Sequence, residues 1–418
     1  MLSVAGALKK LLKEFTAVTP EVVPLLQSRN RVLAEELRAP FDLPLFTDSS
    51  MDGFAVLSED VKKAGADHPI ELSVIADIPA GSIAQKGIAN GQAMRIMTGA
   101  VIPLGCDAVV PIEDTNFNEQ NFIGGFPWPI RINKPVNPGA FLRVQGQDVH
   151  AGEVVLRAGT FLRPQEVGFL GMLGFEEVPV YRPPKVAILS TGDELVRIGS
   201  ALDSGKIYDA NSVMLASQIV ECGGEYLDLG IAKDNQDEIY QRLEGAFSEQ
   251  VDLIVSSAGV SVGAFDLVRQ VIEEHGSISF WRVNMRPGKP LAFGEYRGIP
   301  FIGLPGNPVS AFVGFEVFVR PAIEKMSGLK NSSRQAQKVR LTEEIQSDGR
   351  ESYLRAIVFQ KEDGLYAKLT GHQGSGNLRS LVQSNAFLIV PSEVKSLPIG
   401  AEVSAWITGA NHQADFNE

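Results

Sequence analysis

The sequence predicts a multidomain chain of the α/β plus β class. Three observations carry that prediction. Strands and helices alternate between residues 185 and 326, short strands crowd residues 45–136, and strand-rich sequence returns after Gly328. At 418 residues the chain is long enough for about two to four domains. Its 41 Gly and 24 Pro imply many tight turns, which suits a protein rich in β-structure.

The elements follow in order. Leu2, Ala5, Leu8, Leu11, Leu12 and Phe15 recur at helical spacing, so residues 2–15 read as an amphipathic helix. Runs at 53–57, 70–78, 93–97 and 108–112, separated by Gly, Pro and Asn, read as strands of a β-rich module. Residues 137–180 are glycine-rich and return to the segment at 28–42, so a small domain made of two chain pieces carries the β-module as an insertion. The pattern switches at Pro183-Pro184. Strands at 185–190, 226–232, 251–256 and 300–304 alternate with helices at 211–221, 237–247, 268–274 and 309–326. That alternation predicts a parallel sheet with helices on both faces, and ligands then bind outside the carboxyl ends of the strands. Runs at 338–341, 353–359, 366–369, 387–390 and 403–407 read as a small C-terminal β-barrel or sandwich.

Composition narrows the function. A net charge of −12 argues against a nucleic-acid binder, which needs a basic face. Cys106 and Cys222 are the only cysteines and lie far apart, which speaks against a zinc or disulfide framework. Lys9, Lys10, Lys13 and Glu14 interrupt the first apolar residues, unlike a signal peptide. No apolar run reaches the length that spans a bilayer. The expectation is a cytoplasmic protein with no membrane contact.

The candidate chemistry sits at predicted strand ends. Ser256 to Asp266 joins a buried strand to a helix through Gly259, Ser261 and Gly263, leaving backbone N–H groups free to face an anion, with Asp266 adding a carboxylate. Ser190 to Leu195 places Thr191 and Gly192 in a turn beside Asp193 and Glu194; a polar helix cap explains it equally well. Asp209 and Asn211 precede a helix, where capping is the simplest reading. Arg282, Arg286 and Lys289 cluster ahead of Pro305-Gly306-Asn307-Pro308, a rigid turn before the last helix of the α/β region. In the β-module, Asp52 stands at an Asp-Gly turn, Thr98 at a Thr-Gly strand end, and Arg143 and Asp148 in a charged loop. Arg355 lies on a C-terminal strand, and Thr370 to Gly376 forms a polar loop containing Ser375. Acids without neighbouring His or Cys favour a hard divalent cation, most simply Mg²⁺. These readings together describe an enzyme handling a phosphorylated or adenylylated ligand with Mg²⁺.

The same motifs, in this order, resemble the molybdopterin molybdenumtransferase family, which includes the C-terminal domain of gephyrin. The matching segments are Met51-Asp52-Gly53, Met97 to Ala100, Ser190 to Leu195, Tyr208 to Asn211, Gly259 to Gly263 with Asp266, Pro287 to Pro290, Gly303 to Ser310 and Thr370 to Ser375. The resemblance spans essentially the whole chain. It implies an N-terminal helix (1–26) packed on the α/β domain, a split linking domain (27–44 and 138–180) and an inserted β-domain (45–137). A molybdopterin-binding three-layer α/β domain (181–328) and a C-terminal β-barrel (329–418) would follow, in an elongated homodimer. The implied reaction takes adenylylated molybdopterin and molybdate, cleaves the phosphoanhydride with Mg²⁺, and releases AMP. Asp52, Thr98, Asp148, Glu194 and Asp266 would be catalytic, with Glu194 and Asp266 as Mg²⁺ ligands. Arg143, Thr191, Gly192, Asp209, Asn211, Asp234, Gly259, Ser261, Gly263, Arg282, Arg286, Lys289 and the turn Pro305, Gly306, Asn307 and Pro308 would bind substrate. Arg355 and Ser375 would contact molybdate. Asp52, Thr98, Arg143 and Asp148 would come from the partner subunit. A molybdopterin adenylyltransferase and molybdenum-enzyme apoproteins or their chaperones are the implied partners.

The chain departs from the family pattern at a few positions. Arg282 and Arg286 replace common lysines, Gln147 a glutamate, Ala258 a glycine, and Gly376 a histidine. Arginine keeps the charge but favours planar bidentate contacts. Two other functions compete: a carrier that holds finished cofactor without hydrolysis, and the related adenylyltransferase. The acids Asp52 and Asp266 weigh against the first. The β-modules and the Arg355–Ser375 pair weigh against the second.

Overall fold

A computed structural model describes residues 1–118, 125–257, 265–330 and 334–408. The side chains of Phe265, Asp266 and Trp281 fall outside the description. The chain forms two compact units. One comprises Met1–Glu35, Ala158–Gly171 and Phe175–Glu418; the other comprises Glu36–Arg157 and Met172–Gly174.

The larger unit holds a six-stranded sheet in the order Glu225–Ala232, Lys185–Thr191, Leu253–Ser257, Ile299–Leu304, Pro290–Tyr296, Gly276–Arg282. The first four strands are parallel. Strand alternation sends Val186 and Ile188 to one face and Ala187 and Leu189 to the other. The first face packs against the helices Val4–Leu12, Ala210–Glu221 and Pro308–Gly314, through Val4, Ala7, Leu215, Ile219, Val309 and Ala311. The second packs against Gln236–Ser248 and Phe265–His275, through Ile239, Leu243, Val268 and Ile272. The first helix is shorter than its apolar spacing predicts: Ser3 Oγ accepts from the Gly6 N–H at 3.1 Å and fixes its start.

The sheet is mixed, where the alternating pattern predicts parallel strands throughout. Pro290–Tyr296 and Gly276–Arg282 add antiparallel strands at one edge. The cause is a hairpin. Tyr296 pairs with Ile299, leaving a two-residue turn, Arg297-Gly298, with φ of 48° and 82°. Two positive φ values give the turn whose twist matches paired strands. The predicted long helix at 309–326 also differs: a π-helical segment, Phe315–Val319, separates Pro308–Gly314 from Arg320–Met326.

The C-terminal region is a barrel, which decides between the two predicted β-architectures. Glu351–Lys361, Gly364–Leu369, Ala336–Leu341, Glu402–Ile407 and Ala386–Val390 pair in sequence and close on themselves through Glu351–Lys361 and Ala386–Val390. Leu354, Ala356 and Val358 fill its interior, whereas Tyr353 joins the core of the α/β sheet. Period-2 alternation therefore puts Arg355 on the same side as Tyr353, outside the barrel interior. Met285–Arg286 adds a short parallel strand beside Glu351–Ser352.

The smaller unit holds a five-stranded sheet ordered Ala108–Pro111, Gly53–Val56, Gln92–Ile96, Ile70–Ile78, Trp128–Ile132. Gly53 is not a turn residue there, as the Asp-Gly reading suggests. It starts a strand, where a Cβ would lie 2.1 Å from the Val110 carbonyl oxygen. Close backbone approach is what requires glycine.

Candidate functional site

In the larger unit the polar groups gather at the carboxyl ends of the parallel strands. Two of the parallel strands end in polar residues after an apolar run: Lys185–Thr191 in Ser190-Thr191 and Leu253–Ser257 in Ser256-Ser257. Asn211, in the first turn of Ala210–Glu221, ties the end of Leu253–Ser257 to the turn after Ile299–Leu304. Its Nδ2 donates to Ser257 Oγ at 2.8 Å and to the Gly306 carbonyl at 2.7 Å. A carbonyl only accepts, so the amide nitrogen must face Gly306 and Oδ1 is left as an acceptor. That Oδ1 is buried with no hydrogen-bond partner among the described residues, as are Ser190 Oγ, Thr191 Oγ1, Ser256 Oγ and Asp234 Oδ1. Buried polar atoms without partners are uncommon, and this many at one end of a sheet leave donors and acceptors that could meet a polar ligand. Asp209 is a true N-cap, accepting from the Ser212 N–H at 3.1 Å.

An acidic corner flanks these ends. Gly192 has φ of 146°, and a Cβ there would lie 2.7 Å from Glu194 Oε2, so the carboxylate folds back over the glycine. Asp234 donates its backbone N–H to Asp193 Oδ1 at 3.2 Å. Burial raises the Asp234 carboxyl above the usual carboxylate range, and the charges of Asp193 and Glu194 add to it. No cluster of three or more His, Cys, Asp or Glu with metal-binding geometry occurs among the described residues. Gly259, Ser261, Gly263 and Ala258 lie outside the described residues, as does the side chain of Asp266.

A basic wall faces the turn before Pro308–Gly314. Asn307 occupies the N-cap position yet makes no capping bond. Its Nδ2 donates instead to Ser375 Oγ at 3.0 Å, and the Val309 N–H donates to the Ser375 carbonyl at 3.0 Å. Pro305 and Pro308 hold that turn, with Pro308 at the first helical position. Ser375 is thereby fixed with its hydroxyl proton free to donate elsewhere. Arg355 is 1% exposed and has no carboxylate within salt-bridge range among the described residues. Its Nε donates to Ser380 Oγ at 2.9 Å, and its Nη2 to the carbonyls of Gly374 at 3.1 Å and His372 at 3.4 Å. Burial, with help from the charge of Arg286, pulls its pKa down to about 10. Among the described residues Arg286 keeps only a loose ion pair, 3.9 Å from Asp348. Arg282 ends the edge strand opposite Pro290, and Lys289 follows Gly288, whose φ is 100°. Gly376 has open space around it.

The smaller unit gathers its own set. Asp52 Oδ1 accepts from the Thr98 N–H at 2.6 Å and from Thr98 Oγ1 at 2.7 Å. Those two bonds hold the Asp52 carboxyl below its ordinary range. Arg143 is engaged by a buried acid that the sequence reading does not single out: its Nε and Nη2 grip the two oxygens of Asp48 at 2.7 and 2.9 Å. Asp148 anchors its loop through its N–H to the Leu43 carbonyl, at 2.9 Å. Gln147 Oε1 accepts from the Val144 N–H at 3.1 Å, a brace within the same loop. Ser380 and Asp48 are the contributors missed from sequence, and Ser257 and Gln373 lie inside singled-out motifs without a role assigned to them. Polar residues ending an apolar strand give a signal for Ser257 and the polar loop one for Gln373; Ser380 and Asp48 give none.

Fold and site define a class: a multidomain protein with unpartnered polar groups and a buried arginine where a mostly parallel sheet and a β-barrel meet. Comparisons refine it. Residues 2–174 match the MoeA N-terminal region (domain I and II), 187–325 a probable molybdopterin binding domain, and 338–407 the MoeA C-terminal region (domain IV). The chain is 37% identical to molybdopterin molybdenumtransferase of Haemophilus influenzae, over 97% of this chain and 98% of that protein. It is 39% identical to the Nostoc protein of that name, over 92% and 87%. A crystal structure of a molybdopterin biosynthesis moeA protein from Pyrococcus horikoshii superposes with a TM-score of 0.81 at 33% identity, covering 97% of this chain and 100% of that one. The chain belongs to the molybdopterin molybdenumtransferase (MoeA) family, the transferases of molybdenum cofactor biosynthesis.

Proposed function

We propose that this chain inserts molybdenum from molybdate into adenylylated molybdopterin, with Mg²⁺-dependent release of AMP. The observation that carries the reading is Arg355. A buried guanidinium without a carboxylate partner among the described residues, beside a serine hydroxyl positioned by Asn307, suits a small oxyanion such as molybdate. The strand-end hydroxyls and Asn211 Oδ1 supply donors and acceptors for the pterin and nucleotide. Arg282, Arg286 and Lys289 add positive charge for the phosphates.

The acidic corner fits Mg²⁺ shared with substrate rather than caged by protein. Mg²⁺ is commonly held by one or two carboxylates together with substrate phosphates and water. Glu194 would be one such carboxylate and Asp266 the other, with Asp234 adjoining through Asp193. The metal would neutralise charge on the phosphoanhydride as it breaks. Gly192 keeps the Glu194 carboxylate against the strand end. Asp52, with its carboxylate kept ionised by Thr98, and the loop carrying Arg143 and Asp148 are assigned to the same reaction from the β-unit. We also infer a homodimer, supplied by an adenylyltransferase and working in the cytoplasm. No helix among the described residues is long and apolar enough to cross a membrane.

The test is turnover. The protein is incubated with adenylylated molybdopterin, Mg²⁺ and molybdate while AMP and cofactor are measured. AMP release should require both molybdate and Mg²⁺. Binding of cofactor with no AMP release would identify a carrier instead. Formation of adenylylated molybdopterin from ATP would identify an adenylyltransferase.

A further inference from the structure

The oxyanion reading of Arg355 leaves open what aims its guanidinium. We infer that Ser380 is a positioning residue for oxyanion binding, acting through Arg355. This rests on the assignment of Arg355 to the oxyanion.

Ser380 is fully buried, on the short helix Arg379–Val382. Its Oγ–H donates to the Asn377 carbonyl at 2.6 Å, so the single hydroxyl proton is committed. A lone pair is thereby turned to Arg355 Nε, 2.9 Å away. A guanidinium is planar, and its five N–H groups have fixed directions. Once Nε is held by Ser380 and Nη2 by the Gly374 and His372 carbonyls, the direction of Nη1 is set. Nη1 donates to no protein atom among the described residues. It is therefore the group left to meet an anion.

Gln373 fixes the other end of the same arginine. Its Oε1 accepts from the Arg355 N–H at 2.9 Å, and its Nε2 donates to the Arg355 carbonyl at 3.0 Å. Its amide thus pairs with the Arg355 backbone as a neighbouring strand would. The loop at 371–376 is consequently wrapped around Arg355, and Ser375 arrives with it. Ser380 itself bonds Arg355 and the Asn377 carbonyl among the described residues, and neither is among the groups proposed for the pterin or nucleotide. Ser380 should therefore act on the oxyanion alone.

The experiment compares full-length wild type, Ser380→Ala, Ser380→Cys and Arg355→Ala. Molybdate alone is titrated calorimetrically, and molybdate-dependent AMP release is followed at fixed adenylylated molybdopterin. Cysteine preserves the packing but is a weak acceptor. Loss of one charge-assisted hydrogen bond should raise the molybdate Kd and KM about tenfold in both Ser380 variants. The KM for adenylylated molybdopterin should stay within about twofold of wild type. An unshifted molybdate Kd in either Ser380 variant, at wild-type melting temperature, overturns the inference. A structural effect alone would instead lower kcat and affect both substrates together, which also overturns it. If Arg355→Ala itself keeps wild-type molybdate binding, the oxyanion reading falls, and the positioning role falls with it. If Ser380→Ala fails to fold, Ser380→Cys decides.

Discussion

Asn211 and Arg355 are the two residues on which the site turns, and they do different physical work. Arg355 is a charge held in place by neutral acceptors, so an anion restores what burial removed. Asn211 joins loops that are distant in sequence, using both N–H groups of one amide. Its replacement should therefore register first as instability. Asn211→Ala leaves the Gly306 carbonyl and Ser257 without their donor, which should lower stability by about 1–3 kcal/mol in a denaturant titration. A change under about 0.5 kcal/mol would show that water replaces the amide and that Asn211 ties nothing together. Asp209 and Asn211 were both candidates for capping; the structure assigns the cap to Asp209 and frees the Asn211 side chain for the strand ends.

At the scale of elements, the strand-to-helix turns decide where carboxylates point. The turn after Lys185–Thr191 depends on Gly192, both for its positive φ and for the space that the Glu194 carboxylate occupies. Gly192→Ala should lower stability by about 1–3 kcal/mol, the range for a non-glycine residue in a sparsely populated conformation. It should also lower Mg²⁺-dependent AMP release, because the Glu194 carboxylate must swing away. Wild-type unfolding and turnover together would remove Glu194 from the site. The π-helical segment works in a similar way elsewhere. It carries Glu316, 3% exposed, whose carboxylate takes bonds from Gln218, Arg320 and Arg334 at 2.8 Å each. Burial works against ionisation there, but the Arg320 bonds hold its pKa below the ordinary value. Strand and helix positions in the α/β region were legible from periodicity. The antiparallel edge was not, because Arg297-Gly298 is a weaker turn signal than Asn-Gly or Asp-Gly.

For the whole molecule, the clearest pH response comes from Glu324, on Arg320–Met326. Burial pushes its carboxyl from 4.5 up to about 7, against the pull of Arg320 and Arg334. The folded chain thus holds a proton that the unfolded chain releases between those values. Stability from this group is present below about pH 4.5 and is lost as pH rises toward about 7. Glu324→Gln removes that slope. Its melting temperature relative to wild type should be higher at about pH 8 than at about pH 5. An equal difference at both would place Glu324 at an ordinary pKa.

The sequence by itself determined the fold class, most strand and helix positions, and the order of the motifs. These follow from local periodicity and from turn chemistry, which are written into neighbouring residues. It also offered the acids and the arginine–serine pair as candidates through a family resemblance. Only the tertiary structure decided which groups are occupied and which are left over. It gave Arg143 to Asp48, Asp52 to Thr98, and Asp209 to a helix start. Among the described residues it left Arg355 with no acid and Asn211 with a spare acceptor. The reason is physical: a hydrogen bond between residues about a hundred positions apart, such as Asn211 to Gly306, has no local signature in the chain.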